Sequence, residues 1–193
     1  MIDLRPAAVT MAALIDGIAD GRLADRTPCE RTSVGDLVVH VDQVARGAVA
    51  LAARDADGMR DAAATVADGS LLASGWRSEV RTHLTAAASA WSRPEAWSCA
   101  VGVPGSDLDA ATWGRITLTE WVVHGWDLAV STGQPFDPDE STLRACWDHV
   151  RAFVPNAPFA GLWGPPVDVG PDAGVLELVL GTTGRDPAWR PQD

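Results

Sequence analysis

At 193 residues the chain is long enough to bury a core without disulfides or a structural metal, and hydrophobic residues at 47% with charged residues at 21% exclude a disordered polymer. A formal net charge of −11 is the wrong sign for nucleic acid or an anionic membrane surface. No apolar run is long enough to span a bilayer, and Met1-Ile2-Asp3-Leu4-Arg5-Pro6 lacks a basic segment followed by an apolar one. The expectation is a cytoplasmic protein with one domain over residues 1–193, a monomer or homodimer with a small-molecule partner. Cys29, Cys99 and Cys146 are widely spaced and form no CxxC, so they are expected as reduced thiols.

The elements follow in chain order. Leu4, Ala7, Ala8, Met11, Leu14, Ile15 and Ile18 recur at helical spacing and predict a first helix stopped by Gly21. A loop, Ala24-Asp25-Arg26-Thr27-Pro28-Cys29-Glu30, leads to a second helix capped by Ser33, with Asp36 three residues on as its capping-box partner. Val34, Leu37, Val38, Val41, Val44, Ala45 and Ala48 form the apolar stripe of that helix, and His40 stands at its edge. Residues 55–70, rich in Asp, Gly and Ala, predict a helix end and a loop. Leu72, Trp76, Val80, Leu84, Ala87, Ala88 and Trp91 predict a third helix ending before Pro94, followed by a connection over residues 99–105.

A fourth helix is predicted from Asp107 or Asp109 to about Thr132, and a fifth from about Pro138 to Val154. The remainder is a Gly/Pro-rich tail, with Gly161-Leu162-Trp163-Gly164-Pro165-Pro166 extended across the surface. There is no internal repeat and no sustained strand alternation. The fold class is all-α, a helical bundle.

Within the fourth helix, Glu120 and His124 lie four residues apart inside an apolar run, on one face of the helix. A carboxylate and an imidazole are good ligands for a divalent transition metal, and His40 on the second helix would complete a His2Glu set with an open coordination position. An E-x-x-x-H pair also arises by chance as a surface pair or a hydrogen-bonded core histidine. The setting among valines and leucines favours the metal, because an unpaired buried imidazole or carboxylate is costly. Asp36 and Asp127 are each placed to accept a hydrogen bond from the outer nitrogen of their neighbouring histidine, although the favoured reading of Asp36 is a helix cap. His83 and His149 have arginines two residues away and are expected as partly exposed helix residues. Trp121 and Trp126 flank His124, as core packing or as walls of an apolar substrate pocket. Cys29 packs as a small apolar residue or approaches the trio in space.

Three segments carry a resemblance: Thr27-Pro28-Cys29, Val34-Gly35-Asp36-Leu37-Val38-Val39-His40-Val41 and Val122-Val123-His124-Gly125-Trp126-Asp127-Leu128-Ala129. Together they resemble the mycothiol-dependent maleylpyruvate isomerase metal-binding family of the DinB-like superfamily. The tail, Gly161 to Val167 and then Gly184-Arg185-Asp186-Pro187, looks like a short actinobacterial branch of it. The absence of lysine and tyrosine beside abundant alanine and arginine, the bias of a GC-rich genome, agrees with that source. The resemblance implies a DinB-like four-helix bundle with an additional helix and an irregular tail. It also implies a divalent metal, usually zinc, on His40, Glu120 and His124, and mycothiol as the thiol co-substrate.

Two departures qualify it. Arg31-Thr32-Ser33 stands where the family usually has tryptophan before the helix start, which implies altered substrate contact there. The C-terminal domain of the full-length isomerase is not expected in this chain, so isomerisation of maleylpyruvate itself is not implied. The leading expectation is a metal-dependent enzyme that activates mycothiol for transfer to, or isomerisation of, a small electrophile. A thiol-independent isomerase or cyclase, or a non-catalytic small-molecule binding protein, remains open beside it.

Overall fold

Apolar residues at helical spacing near the N-terminus, Leu4, Met11, Ile15 and Ile18 among them, turn inward and bury almost completely. The computed structural model describes residues 1–98, 107–158 and 162–191. Among these the chain forms α1 (Arg5–Gly17), α2 (Val34–Ala53), α3 (Ala56–Ala63), α4 (Trp76–Ala90), α5 (Pro94–Trp97), α6 (Ala110–Thr132), α7 (Glu140–Phe153) and α8 (Val175–Thr182). The only strand-like pairing among the described residues is an isolated bridge between Arg26 and Ser33. Cys99 and the predicted 99–105 connection lie outside the described residues.

Helices α1, α2, α4 and α6 close into a ring in which α2 and α1 each pack against both α4 and α6. This four-helix core is the all-α bundle that periodicity predicts. The short helices α3 and α5 lean on α2; α7 packs on the outside of α6, and α8 on α7. No helix of the described residues is long and apolar enough to cross a membrane.

The N-terminus of α2 is held as its sequence dictates. Ser33 Oγ accepts from the Asp36 N–H at 3.1 Å and Asp36 Oδ2 accepts from the Ser33 N–H at 2.9 Å. Asp36 Oδ1 also accepts from the Gly69 N–H at 2.8 Å, which ties the 3-10 turn at Gly69–Leu71 onto the first turn of α2. The contact needs glycine at position 69, and it leaves a Cβ on Gly35 only 3.1 Å from the Gly69 Cα. A Cβ on Gly69 would stand 2.4 Å from the Gly35 carbonyl carbon.

Several boundaries differ from expectation. The first helix ends at Gly17, and a 3-10 turn at Asp20–Arg22 follows. Residues 55–70 are not simply a loop. Arg54 ends α2 in the left-handed region (φ 59°), and Asp55 restarts a helix by accepting from the N–H groups of Asp57 and Gly58. Burial of Ala62 and Met59 against the core supplies what the Asp- and Gly-rich composition of α3 does not. The third predicted helix starts later, at Trp76 after Gly75 (φ 91°). The tail is not merely extended: it carries α8 and returns to the bundle, because Val179 and Leu180 bury against it.

His149 corrects another expectation. It is buried rather than partly exposed, stacked on Phe153 with ring centroids 4.7 Å apart. His83, by contrast, is half-exposed and bonded through Nδ1 to Asp42 Oδ1 at 2.6 Å. Burial, with a smaller contribution from the Arg115 charge, pushes the His149 pKa down from 6.5 to about 4. Above 6.5 the imidazole is neutral in both states and stability is fully present. As pH falls from there toward 4, the unfolded chain binds a proton that the fold refuses, and stability drops. Replacing His149 with Phe should therefore reduce the loss of denaturant midpoint between about pH 7 and about pH 4.5. An unchanged loss in that variant would show that the acid sensitivity comes from other groups.

Candidate metal centre

Helix α6 lies between its neighbours in the bundle, α1 and α2, and the outer helix α7, and every residue from Ile116 to Ala129 is buried. A helix enclosed on all sides has no wet face for a polar side chain. Glu120, His124 and Asp127 nevertheless sit there at i, i+4 and i+7, one above another on a single face. Each must find a partner inside the protein, and each does.

Glu120 Oε2 lies 3.0 Å from His40 Nε2 and 3.1 Å from His124 Nε2. The two imidazoles meet edge to face, with centroids 5.0 Å apart and planes at 87°. On its other side, His124 Nδ1 stands 2.9 Å from Asp127 Oδ2. A proton on Nδ1, donated to Asp127, leaves Nε2 with its lone pair facing the Glu120 carboxylate. Two acceptors at that separation require a cation between them, either a proton or a metal. The donor set of two imidazole nitrogens and one carboxylate oxygen suits a divalent transition metal, and its atoms lie within 4.8 Å of one another.

The electrostatics follow from the same geometry. Burial alone would raise the Glu120 carboxyl, but the hydrogen bonds and charges of His124 and His40 overcome it and hold the group well below the usual carboxylate range. Burial would likewise lower His124, yet Asp127 and Glu120 raise it to about 10. His40, whose side chain is 33% exposed, is the member of the trio that reaches toward solvent.

Behind the trio stands a group that sequence reasoning did not assign. Arg185, beyond α8, is buried and places Nη2 3.0 Å from Asp127 Oδ2, while its Nη1 donates to the Thr183 carbonyl at 3.0 Å. Burial disfavours the guanidinium, and the Asp127 charge more than offsets this, so the pKa of Arg185 is raised. Trp163 closes the same side, 6.4 Å from the His124 ring and 5.8 Å from the Arg185 guanidinium carbon. Neither residue belongs to a periodic stripe. The available signal was that both lie in the glycine- and proline-rich tail segments that carry the family resemblance.

The remaining predicted residues fall as follows. Asp36 is engaged at the start of α2 with Ser33 and Gly69 and orients no histidine. Trp121 and Trp126 are buried, and neither lines the cavity beside Glu120. That cavity, about 250 Å³, lies between α2, α3 and α6, with Trp113 and Leu162 in its wall instead. Consecutive positions on a helix diverge by 100°, so Glu120 on the cavity side turns Trp121 away. Cys29 groups with His124 and Asp127 rather than with His40 and Glu120. Among the described residues no fourth ligand joins the His40–Glu120–His124 set. Cys146 is buried beside Thr119, and burial pushes its thiol up to about 12, away from any reactive role.

The Asp127–Arg185 pair generates two expectations. Arg185→Met leaves a fully buried carboxylate short of its cation and should destabilise the protein by about 3–5 kcal/mol in denaturant titration. The double variant with Asp127→Asn should recover part of that loss; a purely additive double variant would show that the two side chains are not coupled. Asp36→Ala should cost about 1–2 kcal/mol through the lost cap while leaving divalent-metal affinity unchanged. A weakened metal affinity there would place Asp36 in the site after all.

Two uncharacterized proteins of Mycobacterium tuberculosis, from the CDC 1551 / Oshkosh and H37Rv strains, are each 28% identical over 189 residues, covering 90% of this chain and 92% of theirs. No solved structure gives a significant match. Residues 4–129 match the mycothiol maleylpyruvate isomerase N-terminal domain, a span that contains His40, Glu120, His124 and Asp127 and stops short of Arg185. The chain belongs to the mycothiol maleylpyruvate isomerase N-terminal domain family, a mycothiol-related, metal-binding family of helical proteins.

Proposed function

We propose that the chain is a metal-dependent enzyme that activates a low-molecular-weight thiol, mycothiol, for transfer to or isomerisation of a small electrophilic substrate. The observation that carries this reading is the single Glu120 oxygen shared between the Nε2 atoms of His40 and His124, three donors around one point with no fourth ligand among the described residues. A divalent ion such as zinc, held there, would stabilise a thiol in its reactive thiolate form near neutral pH.

The side chains of this protein do the rest. Asp127 accepts the Nδ1 proton of His124 and so presents Nε2 as the donor atom, and Arg185 holds Asp127 in place for that task. Glu120 contributes the one negative charge of the trio, so a bound dication keeps a net positive charge to attract an anionic sulfur. The solvent-facing edge of His40 is the approach for a soluble thiol. Trp163 and the tail exclude water from the opposite side, which strengthens each of these charge interactions.

Two measurements test the reading. Metal analysis should find one divalent ion per wild-type chain and little in His40→Ala or His124→Ala. Stoichiometric metal in both variants would refute the assignment. With a model electrophile and mycothiol, Glu120→Gln should lower turnover by about a hundredfold. Equal rates, or turnover without thiol, would transfer the proposal to a thiol-independent enzyme on the same scaffold.

A further inference from the structure

The helical faces that carry His40 and Glu120 continue past them into the cavity. On α2, His40, Val44, Gly47 and Leu51 follow one another at turns of the helix, and all four line it. On α6, Trp113, Ile116, Thr117 and Glu120 do the same. Met59 and Ala62 of α3 form a third wall, and Leu162 of the tail a fourth. The cavity is therefore an apolar chamber with the candidate metal ligands at one end.

Its chemistry is one-sided. No arginine lines it among the described residues, and lysine is absent from the whole chain. Apart from His40 and Glu120, the polar wall groups are Gln43 and Thr117, and the Thr117 hydroxyl already donates to the Trp113 carbonyl at 3.0 Å. In the metal-free protein a carboxylate entering these walls would lose its hydration with no arginine or lysine to meet it, next to the Glu120 charge and in the field of a chain of net charge −11. At about 250 Å³ the chamber is at the small end for ligand pockets.

We propose that this chamber is the electrophile subsite and that its walls take an uncharged, compact aromatic or alicyclic body in preference to a carboxylate of the same shape. The inference rests on the proposed thiol chemistry only for the word electrophile; the selectivity follows from the walls alone. Val44, Leu51, Ile116 and the Trp113 ring contact the apolar body of the ligand, leaving its reactive carbon toward the His40–Glu120 end.

Gly47 supplies the means to test it. A Cβ there would meet only the Ala62 methyl, at 3.6 Å, so a longer side chain extends into open space. Gly47→Leu fills the chamber and also favours the helix. The probes are a pair of nearly identical shape, methyl naphthyl ketone and naphthoate, titrated calorimetrically into wild-type protein with and without zinc. The ketone should bind at least about tenfold more tightly than the carboxylate in the metal-free protein, and Gly47→Leu should weaken the ketone by about tenfold or more. Naphthoate binding as tightly as the ketone in metal-free wild type would overturn the proposal. So would ketone binding that a folded Gly47→Leu protein leaves unchanged. Because the wild-type comparison needs neither metal nor thiol, a chamber that selects the ketone in a protein with no thiol turnover would sink the thiol reading and leave the selectivity of the chamber standing.

Discussion

The site depends on one buried carboxylate. Asp127 is fully enclosed, and transferring an isolated carboxylate into such surroundings costs several kcal/mol unless opposite charge and hydrogen bonds meet it. Here His124 meets it from its own helix and Arg185 from the far end of the chain. Removing either neighbour leaves the charge uncompensated, so the tail and the fourth bundle helix are locked to one another through a pair that also determines which nitrogen His124 turns toward Glu120. Stability and site geometry are thus held by the same few atoms.

This coupling explains how a site can be pre-formed in the middle of a helix whose every side is covered. Glu120, His124 and Asp127 alternate acceptor, donor and acceptor along one face, with His40 answering from α2. The polar string runs from Arg185 at the closed end to His40 at the open one. Burial deepens toward Asp127, while exposure grows toward His40, so charge is fixed where water is absent and ligand access is left where water is present. The apolar chamber begins where this string ends, because the helical repeat that places His40 and Glu120 also places the residues a turn further along each helix.

Much of this was legible in the residues. Periodicity located α1, α2, α4, α6 and α7, since each carries an apolar stripe long enough to outweigh its local composition. The Ser33–Asp36 cap, and the start of α6 as Asp107 or Asp109, were legible for a similar reason: capping is a contact between neighbours in sequence, and the structure settles the second on Asp109. Helix α3 was hidden because its residues favour a loop and only packing on α2 makes them helical. Helix α8 was hidden by the glycines and prolines around it, and the burial of His149 depends on Phe153 and α6, which no local pattern reveals.

By itself, the sequence determined the helical periods, the caps and the placement of Glu120 and His124 on one face. Each of these is a matter of residue type and spacing within one helix, where geometry repeats with every turn. The tertiary structure alone decided that Asp36 stays at its helix end while Asp127 holds His124, that Trp113 rather than Trp121 or Trp126 lines the cavity, and that Arg185 closes the polar string from a tail outside the helical core. Those outcomes require groups far apart in the chain to meet. Long-range contact is settled by which charges must be compensated and which surfaces must be buried once the helices pack, and neither quantity exists before they do.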